Sequence, residues 1–166
     1  DETLAAPKDF EIYGGGLLFG SVSSGDQLGG NQANVKGDVN LVFQDITTRK
    51  HENDEGLQGF DVFGGGAIHT NFGRAILEGN THITLKNVNS PVSEVMGGGL
   101  VNGGGLRESE ANPYRPKTNA DASVKGNVTI DVSDSTLGTI AGGGDVIGDG
   151  TTTDAKMNIE GDVTIN

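Results

Sequence analysis

Apolar and polar residues alternate with period two in four stretches of the chain. Val39, Leu41 and Phe43 share one side of the first, Ile83 and Leu85 of the second, Val128, Ile130 and Val132 of the third, Val163 and Ile165 of the fourth. Period two with β-branched residues predicts strands, not helices. A shorter alternating pair precedes each long strand: Ala33 and Val35, Ala75 and Leu77, Ala122 and Val124, Met157 and Ile159. Between the short and long strands stands Gly followed by Asp or Asn, which predicts a sharp bend with a left-handed residue. The segments Val35–Phe43, Leu77–Leu85, Val124–Val132 and Ile159–Asn166 thus align without a gap as one repeated motif.

A second motif recurs with it, at Ile12–Leu18, Val62–Ile68, Val95–Val101 and Ile140–Val146. Each copy is a triple glycine with an aliphatic residue two places before it and another two places after it. Three adjacent glycines weaken any strand they sit in, so their recurrence implies a shape requirement, a bend or a close approach of neighbouring backbone. A phosphate-cradling loop does not fit, because no Gly-Lys-Ser/Thr and no helical pattern follows any copy.

The blocks begin at Gly14, Gly64, Gly97 and Gly142, spaced by 50, 33 and 45 residues. Variable spacing around an unchanged core means loops of different length on a constant scaffold, and the shortest unit is about one coil of a parallel β-helix. The expectation is a single domain over residues 1–166, all-β, folded as a right-handed parallel β-helix of about four coils. Its inward columns are Val39, Thr81, Val128 and Val163, then Leu41, Ile83, Ile130 and Ile165. Outward positions are Asn40, His82, Thr129 and Thr164, then Val42, Thr84, Asp131 and Asn166. Two insertions, Thr47–Gly59 and Asn102–Ala120, read as surface loops.

Charge narrows the partners. Eleven basic against 23 acidic side chains give a net charge of −12, which repels phosphate backbones and anionic membranes and excludes nucleic acid as the expected ligand. There is no cysteine, hence no disulfide, thiolate metal site or cysteine nucleophile. No run of about 18 apolar residues occurs, so membrane insertion is not expected.

Candidate chemistry is sparse. Asp145, Asp149 and Asp154 stand in a glycine-rich turn and are the metal candidates; oxygen ligands of this kind suit calcium, although the other units carry Leu17, Ala67 and Leu100 in place of Asp145. Ordinary turn aspartates are the competing reading, and no other cofactor is expected. For a glycosidase, Asp131 and Asp134 are placed to approach Asp45 or Glu94 on adjacent coils. His51, His69 and His82 occupy unrelated positions in the unit and support neither a zinc site nor a triad. Asp45, Asn87 and Asp134 recur at the end of the long strand, where stacked side chains bond along the axis and to turn backbone.

The four triple-glycine blocks and the four strand motifs resemble the glycine-punctuated parallel β-helices of bacterial cell-surface proteins, including autotransporter-like passenger regions and adhesins. The resemblance covers nearly the whole chain and implies an extracellular or cell-surface module, structural or adhesive and non-catalytic, with a host-surface or glycan ligand. It carries over no catalytic residue. A polysaccharide-degrading β-helix, lyase or glycosidase, is the alternative. The expected setting is a segment of a longer solenoid, or a filament subunit in which the Phe10–Leu18 end of one copy stacks head-to-tail on the Met157–Asn166 end of the next.

Overall fold

The alternating stretches are strands, and they join only in parallel. The computed structural model of the chain describes residues 10–19, 32–48, 58–69, 73–102, 120–147 and 156–166. Among these the protein is all-β, without a helix. The first unit contributes β1 (Phe10–Tyr13), β2 (Leu17–Phe19), β3 (Val35–Lys36) and β4 (Val39–Thr47). The second contributes β5 (Phe60–Phe63), β6 (Ala67–His69), β7 (Gly73–Arg74), β8 (Leu77–Glu78) and the start of β9 (Thr81–Met96). The end of β9 opens the third unit, followed by β10 (Leu100–Asn102), β11 (Ala120–Asp121) and β12 (Val128–Ser133). The fourth holds β13 (Thr136–Ala141), β14 (Asp145–Ile147) and β15 (Val163–Ile165). Most of the two insertions, residues 49–57 and 103–119, lies outside the described residues.

Each strand pairs with its counterpart in the neighbouring unit. Val39, Thr81, Val128 and Val163 are in register, as are Leu41, Ile83, Ile130 and Ile165, so the columns expected from the repeat alignment are those found. The flanks of the triple glycines do the same: Ile12, Val62, Val95 and Ile140 form one column, and Leu18, Ile68, Val101 and Val146 another. Val35, Leu77, Val124 and Ile159 form the column of the short strand. Residues from four of these five columns meet in one core, with Val62, Leu77, Ile83, Val95, Val124, Val128 and Ile130 all buried. Thr81 replaces an aliphatic residue in its column without leaving a polar group unpaired, because its hydroxyl donates to the carbonyl of Gly64 at 3.3 Å.

The triple glycines serve close approach and not a left-handed bend, since none of them has positive φ. A Cβ on Gly64 would stand 2.5 Å from the carbonyl oxygen of Gly97 and collide with Thr81, and one on Gly97 would stand 2.7 Å from the carbonyl oxygen of Gly142 and collide with Val128. The third glycine of the block faces a small residue: Gly66 meets Ala75, and Gly99 meets Ala122. Backbones approach closely along this strip, and both sides of it are Gly and Ala.

Left-handed residues occur elsewhere than the Gly-Asp/Asn dipeptide predicted. Of the four glycines in that dipeptide only Gly37 has positive φ, at 105°; Gly79, Gly126 and Gly161 are there because a Cβ would run into the backbone of the preceding unit's glycine. The left-handed turn is made instead by Asp45, Asn87 and Asp134, with φ of 55°, 53° and 50°. Asx residues tolerate this region, and the Asn87 side-chain amide donates to Asp45 at 2.8 Å across the units.

In the unit without an insertion, the long strand and the strand entering the triple glycine fuse into β9. Pairing with β13 slips between Leu137 and Thr139, leaving Pro91, Val92 and Ser93 of β9 opposite Gly138 alone as a bulge. A proline lacks the ladder donor and belongs at such a site. On the outer surface Lys36, Glu78, Lys125 and Glu160 form a column of alternating sign. The Lys36–Glu78 pair, 4.0 Å apart and exposed, adds little stability, but like charges would oppose each other after a slip of one unit.

Candidate functional site

The outward face at the start of the long strands carries a groove of about 280 Å³ crossing three units. Asp38 and Asn40, Asn80 and His82, and Asn127 and Thr129 line it. Its polar wall is a ladder built by the repeat. Asp38 Oδ1 accepts the Asn80 backbone N–H at 2.8 Å and the Asn80 side-chain amide at 2.9 Å. Asn80 Oδ1 accepts the Asn127 N–H at 2.8 Å, and Asn127 Oδ1 accepts the Asp162 N–H at 2.9 Å.

His82 bonds diagonally across the sheet. It is opposite Thr129, yet its Nε2 donates to Asp131 at 2.6 Å, since an ionised carboxylate only accepts. The other Asp131 oxygen accepts the Asn166 amide at 2.8 Å. These two bonds, that of Asn166 foremost, hold the Asp131 carboxyl below the usual carboxylate range. Asp45 is lowered likewise, by Asn87 and then by Gln44. For a carboxyl whose folded-state value is depressed, the stabilisation is complete above the unfolded value of about 3.9 and disappears as pH falls through the folded value. Thermal melts between about pH 5 and about pH 2 are therefore expected to show a smaller loss of stability for Asp131→Asn than for the parent chain. An identical acid profile for the two would show that the His82–Asp131–Asn166 bonds do not form in solution.

The carboxylates considered for glycoside chemistry have separate partners or places in the fold. Asp131 is turned to His82 and Asn166, Asp45 bonds Asn87, and Asp134 forms the left-handed turn after β12. Glu94 stands further along β9, in a column with Asp61 and Glu11. At the edge of that column the Tyr13 hydroxyl bonds Glu11 and sits 2.8 Å from His69 Nε2, and burial, then the bond to Glu11, pushes the phenol well above its ordinary value. Of the calcium candidates, Asp145 is half-buried in β14, in register with Leu100; Asp149 and Asp154 lie outside the described residues. Among the described residues no group of three His, Asp or Glu side chains is placed to hold a metal ion.

No family model, curated protein or solved structure matches the chain. The groove and the His82–Asp131–Asn166 cluster were not evident from spacing alone, although one signal for the latter was present. A residue's diagonal neighbours on an adjacent strand lie two positions from its direct partner, and Asp131 is two positions from Thr129.

Proposed function

We propose that the chain is a stretch of parallel β-helix, right-handed and about four coils long, that serves as an extracellular structural or adhesive module and not as an enzyme. The observation that carries this reading is the outward surface of the long strands. It pairs a groove lined by amides, hydroxyls and an imidazole with carboxylates engaged by amides and His82, instead of two carboxylates facing each other across a cleft. The solenoid part is supported by the unit-to-unit register of every row. A second copy adding a strand layer at the last unit is favoured by Val163 and Ile165, which are 47% and 49% exposed while their column mates Val128 and Ile130 are buried.

Two measurements test it. Removing residues 64–96 takes out one whole unit and joins Phe63 to Gly97 with every column kept, so a solenoid keeps its β-type circular dichroism and a cooperative, lower melt. Loss of all structure would refute stacked units. Incubation with neutral and uronate polysaccharides is expected to release no new reducing ends or unsaturated products; sustained release would make the lyase or glycosidase reading the correct one.

A further inference from the structure

We infer that the groove crossing β4, β9 and β12 binds a neutral saccharide through its hydroxyls; this names a ligand for the adhesive reading and rests on it. The argument starts from the groups the ladder leaves over. Asp38 Oδ1 and the two Asn carbonyl oxygens are used between units. The Asn40 amide, Asn127 Nδ2 and the Thr129 hydroxyl make no hydrogen bond within the described residues, and Asp38 Oδ2 and His82 Nδ1 add acceptors to the same groove.

Donors and acceptors are thus intermingled, the pattern that suits hydroxyls, each of which both donates and accepts. Calcium requires six or more oxygen ligands, whereas here amide donors stand among them, and among the described residues no group of three His, Asp or Glu side chains is placed to hold a metal ion. A phosphate or a nucleic acid meets the Asp38 carboxylate and a chain of net charge −12. A peptide adding as a strand needs a sheet edge, and this groove crosses strands.

Two further features favour an extended glycan. Asn80 and Asn127 are held in place by the hydrogen bonds of the ladder between units, so less ordering remains to be done on binding. Neighbouring strands lie about 4.8 Å apart, close to the length of one pyranose in an extended chain. Asn40, His82, Thr129 and Thr164 therefore repeat at the spacing of successive sugars. Among the described residues no Phe, Tyr or Trp lines the groove, so affinity per site is low and multivalent display raises it.

The test is a surface array of neutral gluco-, galacto- and manno-configured oligosaccharides beside oligogalacturonate, followed by titration of the best neutral binder while side-chain amide signals are recorded. Saturable binding to a neutral glycan, shifting the Asn40 and Asn127 amides and weakened at least tenfold by Asn40→Ala with Thr129→Ala, is the expected result; Gln44→Ala, on the same strand outside the groove, leaves it unchanged. Binding only to the uronate, binding to none, or binding unaltered in a double variant that melts like the parent would overturn the assignment. Failure to bind by a folded chain removes the groove and leaves the scaffold reading standing. Binding accompanied by cleavage supports the groove but refutes the non-catalytic reading.

Discussion

Ile130→Asp is expected to leave the chain without a cooperative thermal transition, whereas Thr129→Asp, one residue away, keeps it. Ile130 is fully buried at the centre of a column whose neighbours are Ile83 and Ile165. The substitution removes an aliphatic side chain, a loss of about 2–5 kcal/mol, and places a carboxylate where no cation can reach it, costing several kcal/mol more. Against a total stability of about 5–15 kcal/mol, that sum is decisive. Thr129 faces outward and its aspartate would stay hydrated. The same change moved along the column grades the effect, since Ile83 is fully buried, Leu41 is half-buried and Ile165 is 49% exposed. Circular dichroism melts should rank Ile83→Asp and Ile130→Asp as most damaging, Leu41→Asp next and Ile165→Asp least. Equal damage at Thr129 and Ile130 would mean that the two faces of the sheet are wrongly assigned.

That face assignment was legible in the sequence because a repeat compares each position with its own copies. Val39, Thr81, Val128 and Val163 align without knowledge of structure, and stacking in register then follows from the period alone. What escaped is where adjacent units interact by shape. The positive φ of Asp45, Asn87 and Asp134 is visible only as a recurring Asx, which residue type allows but does not require. The Gly-Asp/Asn dipeptide suggested the left-handed turn more strongly, yet in three of the four copies its glycine is present for clearance between neighbouring backbones. Fusion of two strands into β9 was hidden because the signal that divides them elsewhere is an inserted loop or an interrupting Asp, and Asn87 interrupts the direction of the chain without ending its pairing. At the surface, the column Asn40, His82, Thr129, Thr164 could be written from the repeat, but the groove depends on which amides the ladder consumes.

Gly97→Ala and Gly143→Ala are expected to differ in sign, although both alter a triple glycine. A methyl on Gly97 would meet Val128 and stand 2.7 Å from the Gly142 carbonyl oxygen, with core on one side and backbone on the other. Neither yields cheaply, so a cost of about 1–3 kcal/mol follows from overpacking, a fall of roughly 2–12 °C in Tm for a chain of this size. Around Gly143 a Cβ meets nothing within 4 Å. The backbone there has no positive φ, so alanine restricts the unfolded chain without strain and stabilises by about 0.4–1 kcal/mol. The contrast reports on the edge of the last unit, because the second glycine of each earlier block lies against the third glycine of the next: Gly15 on Gly66, Gly65 on Gly99 and Gly98 on Gly144. Gly143 would meet the same partner if another unit covered it. Melts at low protein concentration are expected to show the small gain, and melts at high concentration show it turning into a loss if copies stack end to end. A loss as large as that of Gly98→Ala at every concentration would contradict an open edge, and a gain that persists at high concentration would contradict stacking of copies.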